Sequence, residues 1–186
     1  MTKLCSPKYR AIGVSIDSQV LNQTLFNILV NSGLLDLTEL CIVKGKLVWV
    51  LYCDLVCLED DGAALDVAAL SLVAALKSLT LPKVNFDLDT KAIQVDDKIK
   101  TALKLKCLPV TSTFVMMDQK HLLADPTADE ENIAGTTVTI SISDGQISYV
   151  YQPGGNSLQP QQFESIVKQA TNREKYLKSL LGNIFA

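Results

Sequence analysis

The sequence predicts an α+β fold in which mixed sheets carry packed helices. Two observations predict it. Apolar residues recur at helical spacing near both ends of the chain and in an alanine-rich stretch after residue 62, whereas residues 110–151 have the pattern of short strands separated by turns. With 186 residues, of which 48% are hydrophobic, the chain is long enough for one domain or for two small lobes that share a core.

Three segments have the pattern of helices. Asp17 is placed to cap a first helix that runs to about Asn31 and ends at Gly33. Its predicted apolar face consists of Val20, Leu21, Leu25, Ile28 and Leu29. Residues 63–79 are apolar nearly all round, which predicts a deeply buried helix. A last helix is expected from about Pro160. Its inward stripe is predicted to be Phe163, Ile166, Val167, Ala170, Leu177 and Leu180, with Lys168, Arg173, Lys175 and Lys178 facing water.

The middle of the chain contains one long apolar run and one segment of weak pattern. Residues 46–58 are apolar on both alternating faces, which is typical of a central strand covered on both sides. Residues 83–106 have no clear period, and we expect a mobile excursion with one or two short strands there.

Four further runs predict two hairpins. These are residues 110–117 with 121–125, and 136–142 with 146–151. The second pair is joined by Asp144-Gly145, a strong signal for a two-residue hairpin turn. The acidic stretch between the two hairpins, PTADEENIAG, is predicted to be a loop.

Composition excludes several classes of protein. A net charge of −3 gives no general attraction to nucleic acid, and it argues against a stand-alone RNA-binding module. The five cysteines form no CxxC pair and there is a single histidine, so no zinc site is predicted. The longest charge-free apolar run, Leu47–Cys53, is far shorter than the roughly 20 residues that span a bilayer. We expect a soluble intracellular protein.

The turn LEDDG, which precedes the alanine-rich helix, has two possible interpretations. Its carboxylates could belong to a metal or phosphate site, or they could be structural. In the structural interpretation Asp60 or Asp61, followed by Gly62, accepts hydrogen bonds from free amides at the start of the helix. Asp66 lies within the helix, and a buried charge needs donors. We expect it to cap or bridge backbone amides near the turn.

A second acidic cluster and two cations are the other candidate sites. The cluster DPTADEEN could hold magnesium for phosphoryl transfer, or it could be a solvated loop that begins with an Asx-Pro turn. The following AGTTVTI adds no carboxylate, which weakens the catalytic interpretation. Lys8 and Arg10 flank Tyr9 and are the most plausible contacts with nucleic acid.

Several stretches together resemble the ribonuclease PH family. They are CSPKYR, GKLVWVLYCDLVCLEDDGAALDVAALSLVAALKSLTLP, LPVTSTFVMMD, LLADPTADEEN and the late PGG. More narrowly, they look like the catalytically silent, ring-forming subunits of the eukaryotic RNA exosome. The resemblance implies a ribonuclease PH-like fold with three parts. Residues 1–82 are the C-terminal part of a first lobe, 83–108 a connecting excursion and 109–186 a second lobe.

The resemblance also bears on catalysis. Active relatives use phosphate to cleave the 3′ end of RNA, with arginines that grip RNA and with carboxylates just before and within the strand that here reads AGTTVTI. Where they carry an aspartate, this chain has Gly135 and Thr136, and the basic tract is reduced to Lys8 and Arg10. The resemblance therefore implies a non-catalytic subunit without cofactor or metal. On this resemblance, Asp125, Asp129, Glu130 and Glu131 form a vestigial acidic loop without a catalytic role.

One alternative and several further expectations follow. The alternative is a phosphorolytic 3′-exoribonuclease in which that acidic loop is the relocated site. The expected partners are other ribonuclease PH-like ring subunits, cap subunits and RNA threaded through the assembled channel, in the nucleus, nucleolus and cytoplasm. Full-length members of the family carry further strands ahead of CSPKYR that flank residues 47–58, so we expect an incomplete first lobe.

Overall fold

The computed structural model describes residues 16–87 and 90–184. The helices in these ranges are α1 (Ile16–Ser32), a 3-10 turn (Leu37–Leu40), α2 (Ala64–Ser78), α3 (Ala128–Ile133) and α4 (Pro160–Ile184). The strands are β1 (Cys41–Val43), β2 (Leu47–Val48), β3 (Thr80–Phe86), β4 (Ile93–Ala102), β5 (Val110–Met117), β6 (His121–Ala124), β7 (Thr136–Ser143) and β8 (Gln146–Tyr151).

A four-stranded antiparallel sheet of order β6-β5-β7-β8 lies at the centre of the fold. Both hairpins predicted from the sequence are confirmed. The β7–β8 turn places Asp144 and Gly145 at φ +52° and +75°, the left-handed conformation that a tight two-residue turn requires. One face of the sheet is apolar and packs on α4. Its core residues are Phe114, Val138, Ile140, Ile142, Ile166 and Ala170.

The opposite face of the sheet is rich in hydroxyl groups. Thr113 lies directly opposite Thr139, and Thr111 lies opposite Ser141. Helices α1 and α2 cover this face, α2 against β5 and α1 against β8. Apolar contact on this side comes from Leu25, Ile28, Leu65, Ala68 and Ala69, against which the tyrosines of β8 pack. One face of the sheet is therefore apolar and the other is polar. The buried hydroxyls of the polar face need hydrogen-bond partners.

A second apolar cluster forms away from the sheet. Its buried members are Leu34, Leu40, Leu72, Val73, Leu76 and Leu103. It joins the far side of α2 to the residues that follow α1 and to the segment after β4. Backbone pairing closes the same region, because Lys106 donates its N–H to the carbonyl of Leu34 at 2.9 Å.

The long apolar run 46–58 does not form a central strand. Only Leu47–Val48 pairs, with β1, and residues 49–58 form no helix or strand and have no strand partner among the described residues. Odd-numbered side chains such as Trp49 and Leu51 pack on the second cluster, whereas Tyr52 is 89% exposed. The prediction was wrong because a central strand requires neighbouring strands on both edges and along its length, and the described residues supply one neighbour, for Leu47–Val48 alone.

The segment predicted to be a mobile excursion is an ordered two-stranded ribbon. Strands β3 and β4 pair antiparallel over seven and ten residues, with a bulge between Pro82 and Lys83. These strands are longer than predicted, because β4 is exposed on both faces and has no apolar alternation from which its length could be inferred. The proposed boundary at 82/83 falls inside β3, and the limits of the two lobes stay a prediction.

The remaining differences concern helices. The stretch predicted to be a loop contains α3, because Thr127 and Glu130 form a reciprocal capping box that starts a helix. Helix α1 begins one residue before Asp17, so Asp17 does not precede it. Val20 of α1 and Leu180 of α4 are exposed rather than inward. Lys178 is half-buried in an ion pair rather than facing water.

Candidate functional site

A cleft of about 440 Å³ opens at one end of the hydroxyl-rich face. The turn before α2, helix α1, helix α3 and strands β5, β7 and β8 all contribute to its wall. Its polar lining includes the hydroxyls of Thr24, Thr113, Thr137, Thr139 and Tyr151. Its charged lining is acidic: Asp60 and Glu131 are the ionisable carboxylates, and no lysine or arginine from the described residues lines it. We call the space bounded by these residues the cleft.

Glu131 joins the two walls of the cleft. Its Oε1 accepts a 2.9 Å hydrogen bond from the backbone N–H of Ala63, the residue that precedes α2. Ala63 has φ +46° and offers no side-chain cap, so a carboxylate 68 residues away satisfies an otherwise free helix-start amide. In return, the N–H of Ala128 donates to the carbonyl of Asp61 at 3.0 Å. We call this reciprocal pair the α2–α3 latch.

The latch leaves no room for a side chain at Gly62. That residue has φ +96°, and a Cβ placed there would meet the carbonyl oxygen of Pro126 at 2.3 Å. Glycine is therefore needed both for its conformation and for the close approach of the two backbones.

The acidic turn does not cap α2 as predicted. Asp60 accepts from the N–H of Gly62 at 3.3 Å, which is a local turn contact. The side chain of Asp61 lies 3.5 Å from the N–H of Ala128, at the limit of a hydrogen bond and directed towards α3. The cap of α2 comes instead from Glu131, because the tertiary fold brings α3 over the start of α2.

Asp66 bridges a backbone amide, but on β5 rather than near the turn. It is 4% exposed, and its two carboxylate oxygens accept from the N–H of Thr113 at 2.7 Å and from the hydroxyl of Thr113 at 2.9 Å. The Thr113 and Thr139 hydroxyls also lie 2.9 Å apart. Burial raises the pKa of Asp66, although the hydrogen bonds from Thr113 and the charge of Arg173 oppose that rise.

The four carboxylates of the second acidic cluster do not converge. Glu130 accepts from the N–H of Thr127 at 2.8 Å within the capping box, and Glu131 forms the latch. Asp125 and Asp129 are exposed and do not line the cleft. No group of three or more His, Cys, Asp or Glu side chains in the described part of the chain is arranged to hold a metal ion.

The entry of β7 is closed by the PGG loop. The hydroxyl of Thr136 accepts from the N–H of Asn156 at 2.8 Å and donates to the carbonyl of Asn156 at 3.1 Å. Gly155, at φ +93°, sits so close that a Cβ would lie 2.5 Å from the carbonyl oxygen of Gly135. Thr136 is 3% exposed, and its two hydrogen bonds with Asn156 hold the loop against the start of β7. Lys8 and Arg10, the predicted RNA contacts, lie outside the described residues.

Sequence reasoning missed a buried carboxylate on α4. Glu174 is 2% exposed and accepts from the N–H of Gly145 at 3.2 Å and from Lys178 at 2.8 Å. Lys178 also binds Asp144 at 2.7 Å. Burial alone would lower the pKa of Lys178, but the hydrogen bonds to Asp144 and Glu174 outweigh it and raise that pKa. The i,i+4 spacing of Glu174 and Lys178 is the signal that could have indicated this clamp.

Comparison with known proteins gives the class of fold. Residues 107–173 match the family model described as 3′ exoribonuclease family, domain 2. The structure is similar to the Archaeoglobus fulgidus exosome with RNA bound to the active site, with a TM-score of 0.79 and 26% identity, covering 95% of this chain and 66% of that one. It is also similar to an archaeal exosome core, with a TM-score of 0.70 and 25% identity, covering 89% and 64%. The fold is ribonuclease PH-like.

Two proteins of known name are similar to this chain in sequence. The chain is 33% identical over 174 residues to the exosome complex component rrp43 of Schizosaccharomyces pombe, covering 93% of this chain and 64% of that protein. It is 33% identical over 154 residues to the exosome complex component Rrp42 of Methanocella arvoryzae, covering 82% and 55%. Residues 107–173 therefore match the second domain of the 3′ exoribonuclease family, and the chain spans less than two thirds of the length of these two relatives. No helix among the described residues is long and apolar enough to cross a membrane.

Proposed function

We propose that this chain is a non-catalytic structural subunit of an RNA exosome ring and supports 3′-to-5′ RNA processing and degradation by the complex. The observation that carries the proposal is the chemistry of the cleft. Of its two carboxylates, Glu131 is bound to the amide of Ala63 and Asp60 to that of Gly62. Both carboxylates that line the cleft among the described residues therefore already have structural partners.

The part of the cleft lining that the structure describes is unsuited to phosphorolysis. That reaction needs positive charge aimed at the negative charge that develops on phosphate and on the leaving RNA end. The described lining is acidic and would repel both reactants. At the entry of β7, where the resemblance expects an aspartate in active enzymes, Gly135 and Thr136 bind the PGG loop instead.

The alternative, an exoribonuclease with a relocated acidic site, is disfavoured by geometry. A metal-assisted site needs carboxylates that converge on one point. Asp125 and Asp129 are exposed outside the cleft, while Glu130 caps its own helix. Only Glu131 of the four lines the cleft.

An activity assay tests the non-catalytic part of the proposal. The chain is incubated with an RNA oligonucleotide, magnesium and phosphate, and an active ribonuclease PH-family enzyme serves as positive control. We expect no nucleoside diphosphate to be released. Phosphate-dependent shortening of the RNA that disappears in Glu130→Gln and Glu131→Gln variants would establish the alternative.

An assembly assay tests the structural part. Both relatives are named exosome complex components. On the family resemblance, we propose ring subunits of the same family as partners, together with cap subunits and RNA in the assembled channel, in the nucleus, nucleolus and cytoplasm. The chain is co-expressed with candidate ribonuclease PH-like subunits and analysed by size exclusion. Co-elution in a stoichiometric complex is expected. Elution of the chain by itself in every combination would refute ring membership.

A further inference from the structure

The cleft carries negative charge that its internal contacts leave unused. Glu131 accepts the Ala63 amide through Oε1 alone, and Asp60 accepts the Gly62 amide through Oδ1 alone. The second oxygen of each carboxylate has no hydrogen-bond partner among the described residues. Because no lysine or arginine of the described chain lines the cleft, these two oxygens remain available to a cation.

A buried hydroxyl in the wall of the cleft also lacks a partner. Thr24 of α1 is 4% exposed and lines the cleft, and its hydroxyl makes no hydrogen bond within the described part of the chain. A polar group so deeply buried normally has a partner, because leaving it without one is unfavourable. A polar group supplied by a ligand would complete this part of the wall.

The buried carboxylate of Asp66 decides how the hydroxyls on the sheet side of the cleft are oriented. With Asp66 ionised, the single hydroxyl proton of Thr113 is donated to its Oδ1 at 2.9 Å. Thr113 can then only accept from the hydroxyl of Thr139, which lies 2.9 Å away. Thr139 lines the cleft and has thus used its own proton, so it offers only lone pairs to a ligand. This side of the cleft therefore needs a hydrogen-bond donor.

Apolar side chains form much of the remaining wall. Val20, Leu21 and Leu65 line the cleft, together with Pro153 from the loop after β8. The volume of about 440 Å³ is within the range of small-molecule sites, which combine apolar walls with a few placed polar groups. The cleft thus suits a ligand that has an alkyl stem and a cationic head.

We propose that the cleft binds a short aliphatic polyamine, whose primary ammonium group donates to the two carboxylates and to the hydroxyls of Thr24 and Thr139. The methylene chain of the amine lies against the apolar wall. A primary ammonium has three N–H donors and no acceptor, so it matches a site that offers carboxylate oxygens and hydroxyl lone pairs. An anion is disfavoured because both charges in the described lining are negative. A metal ion is disfavoured because no three ligating side chains among the described residues converge.

This site goes beyond the proposed function. A small molecule would occupy it in the chain by itself, without a ring partner and without RNA. Failure of the assembly assay would leave the amine site standing, and failure of amine binding would leave ring membership untouched.

Isothermal titration calorimetry with spermidine and putrescine tests the site. The titration is made at physiological salt, which screens non-specific attraction of the amines to a net charge of −3. We expect saturable binding of one amine per chain. Tetramethylammonium has the same charge as one ammonium group but no N–H donor. It is expected to bind at least about tenfold more weakly, because it forms no charge-assisted hydrogen bonds.

A matched pair of double variants separates the cleft from general acidity. Asp60→Asn with Glu131→Gln removes both cleft charges, while the retained amide oxygens can still accept from the two backbone N–H groups. The control, Asp125→Asn with Asp129→Asn, removes the same charge from exposed carboxylates outside the cleft. The first pair should weaken spermidine binding at least about tenfold, and the control less than about threefold. Circular dichroism checks that both variants are folded.

Thr24→Val adds a readout in which a ligand site and a structural role have opposite effects. Valine closely matches the shape of threonine and removes only the hydroxyl that lacks a partner. The chain without ligand should therefore unfold at the same or a higher urea concentration. Spermidine affinity should nevertheless fall about threefold or more. A destabilised chain with unchanged affinity would contradict the site.

Three further results would overturn the proposal. The first is the absence of saturable heat with either polyamine at millimolar concentrations. The second is an equal loss of affinity in the two double variants, or binding of tetramethylammonium as tight as that of spermidine. The third is tighter binding of Mg²⁺ or of a lysine-containing peptide than of spermidine, which would identify a metal ion or a partner protein as the occupant.

Discussion

The buried carboxylate of Asp66 provides the sharpest test of how α2 is fixed to the sheet. Replacing Asp66 with Leu keeps a side chain of similar size but removes both acceptors used by Thr113. The N–H of Thr113 is then a buried donor without a partner, whereas its hydroxyl still has Thr139 at 2.9 Å. One unsatisfied buried donor costs about 1–3 kcal/mol, so the free energy of unfolding should fall by that amount.

Two control variants isolate the cause. Asp66→Asn keeps one side-chain oxygen for the Thr113 amide and should cost about 1 kcal/mol or less at neutral pH. Glu59→Gln changes a carboxylate that is exposed and should cost less still. Urea unfolding followed by circular dichroism measures all three. Equal losses for Asp66→Leu and Glu59→Gln would refute the reasoning, because they would mean that burial of Asp66 does not matter.

The same residue predicts a dependence on pH. Because burial raises the pKa of Asp66, the folded state keeps the proton to a higher pH than the unfolded state does. The unfolded chain therefore binds fewer protons between the ordinary and the raised pKa, and this contribution to stability is lost as pH rises through that window. The stability advantage of the natural chain over Asp66→Asn should thus shrink from acidic to neutral pH. An advantage that grows over this range would contradict the assigned burial.

Three further predictions concern the α2–α3 latch, the ion pair of Glu174 with Lys178, and the segment 50–56, which has no strand partner among the described residues. Gly62→Ala should lose about 1–3 kcal/mol in urea unfolding because its Cβ meets the 126–128 backbone, whereas Gly154→Ala, with open space around it, should change little. Because the pKa of Lys178 is raised, its ion pair with Glu174 stabilises the fold fully below the ordinary lysine pKa, and this stabilisation is lost as pH rises through the raised pKa. Lys178→Met should remove that alkaline loss of stability. An unchanged alkaline stability profile in this variant would disprove the contribution of the ion pair. Residues 50–56 have no strand partner among the described residues, so their amides should exchange hydrogen much faster than those of β7; equal protection would show that these amides are hydrogen-bonded in solution and that the segment is not open.

The local features of this chain were readable from the sequence because local hydrogen bonds and backbone preferences determine them. Asp144-Gly145 adopts the turn that its two residues favour, and the apolar spacing of α1, α2 and α4 is enough to define each helix. The capping box of Thr127 and Glu130 was also present in the sequence, and recognising it would have replaced the predicted loop with α3.

Tertiary structure decided everything that depends on which distant groups meet. The run 46–58 has the composition of a central strand, yet a strand exists only where neighbouring strands supply hydrogen bonds along its length. Within the described residues, the N–H of Trp49 still reaches the carbonyl of Leu40 at 2.8 Å, but residues 49–58 pair with no strand. Likewise, Glu131 could have served as a ligand or a solvated charge. It caps α2 because the fold places it 2.9 Å from the amide of Ala63, a contact between residues 68 apart that no periodicity encodes. Sequence patterns carry the preferences of single segments, whereas the partner of a buried or extended group is fixed only when the whole chain packs.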